Sequence, residues 1–126
     1  MIDIRLKRVY EAAAKDDGAR VLVDRVWPRG MTKAAAAADL WLKEIAPSTE
    51  LRKWFNHDRA KWEDFKQRYH TELTANSEAV ATLLELTKKG RLTLLFSAQD
   101  VECNQAVALR EYLLARLKKK SRATEV

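Results

Sequence analysis

Arg20-Val21-Leu22-Val23-Asp24-Arg25-Val26-Trp27-Pro28-Arg29-Gly30 is the stretch whose reading decides the fold. Val21, Leu22 and Val23 form a short apolar run rich in β-branched side chains, the kind buried on both faces of a parallel sheet. Asp24 and Arg25 break it with charge where such a strand would end. Pro28 holds Trp27 extended and cannot donate to a ladder, and Gly30 frees the backbone to turn. The chain therefore leaves the sheet on a constrained loop carrying Arg25 and Arg29. Ligands of open α/β sheets sit in the crevice beyond the carboxyl ends of the strands, so function is expected just after residue 23.

On the N-terminal side, Ile2, Ile4 and Leu6 alternate with Asp3, Arg5 and Lys7, which predicts a strand with one apolar face, paired beside the Arg20 strand. Residues 8–15 are expected to form a short helical turn through Val9 and Tyr10, and Asp16-Asp17-Gly18 supplies turn chemistry. That connection is short for a crossover.

On the C-terminal side, Thr32 caps a short helix through Ala34–Ala38. Residues 39–45 fit either a strand or a continued helix. Pro47 ends that element, Ser48 caps a helix with Leu51, Trp54 and Phe55 on one face, and Asn56-His57-Asp58 interrupts it. Asp58 then caps a longer helix with an aromatic packing stripe of Trp62, Phe65, Tyr69 and Leu73, on which His70 is expected to be exposed. Ser77 caps the next helix, lined by Val80, Leu83 and Leu84, and Gly90 after Lys88-Lys89 stops it. Leu92–Phe96 is a second continuous apolar strand that opens into Ser97-Ala98-Gln99-Asp100. A final helix, from about 102 to 119, carries Ala106, Leu109, Leu113 and Leu117.

This pattern predicts an α/β fold: a small, mainly parallel sheet of three to four strands flanked by about five helices, in a single-domain sandwich. Residues 1–120 make one domain and 121–126 a basic tail. A chain of 126 residues with 47% hydrophobic and 33% charged residues suits one ordered core. Cys103 is the only cysteine, which excludes an internal disulfide, and no apolar run suggests a signal peptide or membrane span. A soluble cytoplasmic protein is expected. The formal charge of +6 is concentrated: residues 115–126 hold five basic side chains against Glu125, leaving the body at +2. Such an end reads as a solvated helix terminus.

If the two apolar strands lie parallel and adjacent, Asp24, Arg25 and Arg29 come close to Ser97, Asp100 and Asn104. The first amides of the last helix and the two guanidinium groups then suit a phosphate or carboxylate, with Arg25, Arg29, Ser97 and Asn104 as ligand-binding residues. The bland alternative pairs Asp24 with an arginine and leaves Asp100 as a helix cap. Asp24, Asp100 and His57 are the acid/base candidates if there is turnover, while His57 equally suits a capping or surface role. Cys103 near a helix N-terminus has the position of a nucleophile but no neighbouring histidine, and free cysteine is often a small core residue. No Gly-x-Gly-x-x-Gly, Walker-type or His-Glu-x-x-His motif is present, so no cofactor or metal is expected.

Arg20–Gly30, Trp41-Leu-Lys-Glu-Ile-Ala-Pro-Ser48, Leu51-Arg-Lys-Trp-Phe-Asn-His-Asp58, Trp62-Glu-Asp-Phe-Lys-Gln-Arg-Tyr69 and Leu94-Leu-Phe-Ser-Ala-Gln-Asp100 with Asn104-Gln-Ala-Val107 together resemble the YeaO-like family. This is the short branch of the bacterial domain of unknown function 488. The resemblance covers nearly the whole chain apart from the basic tail and implies an α/β fold with no established activity. Longer members have Cys-His-Arg after the last strand, where this chain has Cys103-Asn104-Gln105, which weakens a catalytic reading of Cys103. The expected partner is a small anionic ligand in the strand-end pocket. The alternative is a non-enzymatic module that binds nucleic acid or protein through the basic tail; no membrane is implied.

Overall fold

The computed structural model describes residues 2–124, with side chains as far as Lys118. Its centre is a four-stranded parallel sheet in the order β1-β4-β2-β3, formed by β1 (Ile4–Arg8), β2 (Ala19–Leu22), β3 (Leu40–Trp41) and β4 (Leu92–Phe96). Val21 lies opposite both Leu94 and Leu40, and Ile4 opposite Leu92. β4 is buried throughout and takes an interior position with partners on both sides. β1 carries Arg5 and Lys7 and stands at the edge, so it pairs with β4 and not, as expected, beside the Arg20 strand.

The helical turn expected at 8–15 is absent. The Val9 amide still donates to Phe96, and only Lys15–Asp17 makes a 3-10 turn. Ten residues must run back along a strand and pass over β4 to reach β2. Extended chain at about 3.3 Å per residue spans that path, whereas helix at about 1.5 Å per residue does not. At its end, Gly18 has φ +68° and passes so close under Arg91 that a Cβ would collide with the Arg91 carbonyl.

Five helices follow: α1 (Lys33–Ala36), α2 (Thr49–Phe55), α3 (Trp62–Ala75), α4 (Ser77–Lys89) and α5 (Gln105–Thr124). Thr32 and Ser48 cap α1 and α2 as read, accepting from the amides of Ala35 and Leu51. Asp58 caps a 3-10 turn, Arg59–Lys61, that leads into α3. The ambiguous 39–45 stretch resolves into the two residues of β3 and a 3-10 turn, Lys43–Ile45. Asn76 and not Ser77 holds the N-cap position of α4, Ser77 being its first helical residue; Asn76 makes no side-chain cap, and its Nδ2 instead donates to the Glu44 carbonyl at 2.7 Å. His70 is half-buried and not exposed, its Nε2 lying 3.0 Å from the Ala108 carbonyl. The basic tail read at 121–126 lies outside the residues whose side chains are described.

The two faces of the sheet are built differently. One packs Val21, Val23, Leu92 and Leu94 against Phe65, Tyr69 and Leu73 of α3 and Leu109 and Leu113 of α5. Phe55 stacks on Phe65, ring centres 4.3 Å apart, and Tyr69 meets Phe65 at a tilt with ring centres 5.8 Å apart. The opposite face has a small apolar cluster of Val9, Leu22, Ala36 and Leu95, next to buried Arg20, Asp17 and Thr93. Arg20 donates to Asp17 and to the Ala36 carbonyl, both at 2.6 Å, and to the Ala37 carbonyl at 3.0 Å. That grip accompanies the end of α1 at Ala37, which turns left-handed (φ 45°) short of the expected Ala38.

The outer edge of β1 is also occupied. Arg110 of α5 donates to the Ile4 carbonyl at 2.6 Å, and the Glu11 carboxylate and amide engage the amide and carbonyl of Arg8. Among the described residues no helix is long and apolar enough to cross a membrane.

Candidate functional site

Parallel pairing sets the carboxyl ends of β2 and β4 side by side: Leu22 lies opposite Leu95, and the Val23 amide donates to the Leu95 carbonyl at 3.0 Å. Asp24 and Ser97 are therefore neighbours where the strands end. The buried Asp24 carboxylate accepts from the Ser97 amide at 3.2 Å, from Ser97 Oγ at 2.5 Å and from Gln105 Nε2 at 2.6 Å. Burial pushes the Asp24 carboxyl above the usual carboxylate range, and these hydrogen bonds and the nearby Arg52 partly offset that rise.

The loop after β2 is tied down at several points. Trp41 Nε1 donates to the Asp24 carbonyl at 2.7 Å, and the Trp27 and Trp41 rings meet edge-on. Arg25 reaches across to the segment that leads into α2, donating to the Pro47 and Ala46 carbonyls, each at 3.0 Å. Glu72 of α3 fixes the start of α2 by accepting from both the amide and the hydroxyl of Ser48. Because α2 buries Leu51 and Phe55, it leaves Arg52 and Lys53 exposed.

These elements enclose a cleft of about 1030 Å³, at the upper end of the size usual for small-molecule sites. All the residues singled out from sequence line it: Asp24, Arg25, Arg29, Ser97, Asp100, Asn104 and His57. Their occupations differ. Arg25 is engaged with carbonyls, whereas the Arg29 side chain is exposed while its backbone carbonyl accepts from the Tyr10 hydroxyl. Both Asp100 oxygens meet Arg59 at 2.9 Å, and one also accepts from the amides of Glu102 and Cys103. The Arg59 guanidinium and those amides hold the Asp100 pKa at about 2.

Asn104 is the buried cap of α5. Its Oδ1 accepts from Val107, and its Nδ2 donates to the Asp100 carbonyl. The last helix thus begins at Gln105 and not near 102, and several of the amides read as anion donors are already satisfied. His57 stands on the rim with left-handed backbone (φ 55°), its ring 6.4 Å from that of Phe55. Burial pushes the Cys103 thiol up, away from nucleophilic character.

Sequence reasoning missed three cleft residues: Gln105, Arg52 and Lys53. The signal for the last two was the exposed side of the capped helix after Ser48. Gln105 could have been found one residue beyond Asn104. The cleft thus gathers Arg25, Arg29, Arg52 and Lys53, and among the described residues none of the four forms an ion pair. No group of three or more His, Cys, Asp or Glu side chains among the described residues is placed to hold a metal ion.

A family model described as the inactive DUF488-N3 subclade matches residues 3–126. The chain is 44% identical over 112 residues to the uncharacterized protein YeaO of Escherichia coli strain K12, an alignment covering 89% of this chain and 97% of that protein. It is 40% identical over 113 residues to the uncharacterized protein Rv3073c of Mycobacterium tuberculosis strain H37Rv, covering 90% of this chain and 95% of that one. No solved structure matches the chain.

Proposed function

The chain belongs to the inactive DUF488-N3 subclade, and on that premise we propose that its cleft binds a small anionic molecule, such as one bearing a phosphate, without transforming it. The observation that carries this reading is the set of four cations, Arg25, Arg29, Arg52 and Lys53, lining one cleft, none of them in an ion pair among the described residues. Of the two cleft acids, Asp100 is neutralised by Arg59, and Asp24 is buried in hydrogen bonds to Ser97 and Gln105. The field facing a ligand is therefore positive, and it favours an anion by charge-assisted hydrogen bonding. The description of the subclade as inactive supports binding over turnover. So do an occupied Asp100 and a Cys103 thiol with a raised pKa.

Thermal unfolding with inorganic phosphate or sulfate tests the reading, since a ligand that binds only the folded state raises the midpoint. Arg29→Ala and Arg52→Ala should each weaken the anion at least about tenfold, the usual scale for one charged hydrogen bond. Arg25→Ala is a poorer probe because it also frees the Ala46 and Pro47 carbonyls. Equal stabilisation of the native protein and both variants would remove the proposal. A shift produced only by oligonucleotides, and lost on deleting residues 116–126, would favour the basic tail instead.

A further inference from the structure

Hydrogen-bond accounting divides the cleft into two unlike walls. The loop after β2 and helix α2 contribute donors: Arg29, Arg52, Lys53 and what remains of Arg25. The other wall, the cluster of Asp24, Ser97 and Gln105, has spent its donors internally. Ser97 Oγ gives its only hydrogen to Asp24, and Gln105 Nε2 gives one of its two. A carboxylate only accepts, so the Gln105 amide nitrogen must face it, which turns Oε1 away from Asp24.

Among the described residues no donor reaches Gln105 Oε1, and no buried side-chain nitrogen or oxygen lacks a partner. Gln105 Oε1 is therefore accessible, on a residue that lines the cleft. Among the described residues Ser97 Oγ likewise accepts nothing, and Asp24 Oδ1 accepts only from Gln105, leaving capacity for one more donor. The residues that carry these three acceptors line the same cleft as the cations, with a single spare Gln105 hydrogen among them.

We propose that the ligand is a phosphorylated sugar, its phosphate on the arginine wall and its hydroxyls donating to Asp24, Ser97 and Gln105. This inference rests on the anion-binding reading of the same cleft and adds to it the chemistry of the ligand's other end. Hydroxyls suit that wall better than an ammonium group does. Four cations line the same cleft, and burial already disfavours the Asp24 charge that an ammonium would need. The volume admits both a phosphate and a sugar ring.

Calorimetric titration of the full chain separates the two readings by comparing ribose 5-phosphate with pentyl phosphate, which has the same charged group and no hydroxyls. Inorganic phosphate and phosphoethanolamine complete the set. Ribose 5-phosphate should bind about tenfold or more tightly than pentyl phosphate, the yield of two or three neutral hydrogen bonds. Gln105→Leu and, independently, Ser97→Ala should each narrow that ratio to about threefold or less, with thermal unfolding confirming that each variant is folded. Equal affinity for the two organic phosphates, with inorganic phosphate still bound, would overturn the sugar assignment and leave the anion site standing. Tighter binding of phosphoethanolamine would overturn it in favour of an amine. No binding of any phosphate would overturn both readings.

Discussion

The helix-covered face of the sheet and the loop-covered face reach the same degree of burial by different physics. On the first, Val21, Leu94, Phe65 and Tyr69 are held by contact area and ring–ring packing, interactions that are largely non-directional and shared among many neighbours. On the second, Arg20 donates to Asp17 and to the carbonyls of Ala36 and Ala37, Lys7 and the Ala14 amide add donors to the Asp17 carboxylate, and Thr93 Oγ1 donates to the Asp17 carbonyl at 2.6 Å. The first face sets how much stability the domain has. The second sets where the loops of 9–18 and 24–39 run, and the latter loop carries Arg25 and Arg29 into the cleft.

The sharpest way to break this contrast is to delete one member from each face and then restore it imperfectly. Phe65→Ala should cost about 4 kcal/mol by chemical denaturation, as a large buried ring is lost and a cavity remains. Phe65→Leu should recover more than half of that, because area is the quantity that matters. Arg20→Ala should cost about 3 kcal/mol, since it leaves the Ala36 and Ala37 carbonyls without their donor and takes one of three donors from the buried Asp17 carboxylate. Arg20→Lys should recover little, because one ammonium lacks the planar fork that spans three acceptors. If lysine restored stability as well as leucine does on the other face, the directional account of the second face would be wrong.

A smaller effect tests the same face through acid. The Ala14 amide, Lys7 and Arg20 hydrogen-bond to the Asp17 carboxylate and hold its pKa down at about 2, against the opposing effect of its burial. A lowered folded-state pKa gives stability that is present above the unfolded value, near 4, and is lost as the pH falls from there toward 2. Thermal midpoints measured between pH 5 and 2 should therefore fall less steeply for Asp17→Asn than for the native protein. Parallel curves would mean that the cluster is not what responds to acid.

Much of the fold could be read along the chain because it is local. The apolar runs Val21–Val23 and Leu92–Phe96, the stripe from Trp62 to Leu73, the caps at Thr32 and Ser48 and the stop at Gly90 each rest on a few neighbouring side chains. The place of β1 was not legible, because alternation identifies a strand but not its partner. The role of Arg20 was hidden for a related reason: a charge inside an apolar run reads as a strand boundary until the carbonyls of residues 36 and 37 are brought to it. The cleft was partly visible, since strand ends fix Asp24 and Ser97. The meeting of Asp24 with Gln105 spans 81 residues and leaves no periodic trace.

The occupied edge of β1 has a consequence for how these molecules meet one another. An exposed edge strand is a template on which another chain can lay its own backbone, the first step toward domain swapping or fibrils. Here the Ile4 carbonyl is taken by Arg110, and the amide and carbonyl of Arg8 are taken by Glu11, so an incoming strand would find Leu6 flanked on both sides by occupied groups. At the far side of the sheet β3 offers only two residues. A sheet closed in this way at one border and curtailed at the other resists extension by its own copies, and the protein can remain concentrated without polymerising through its strands.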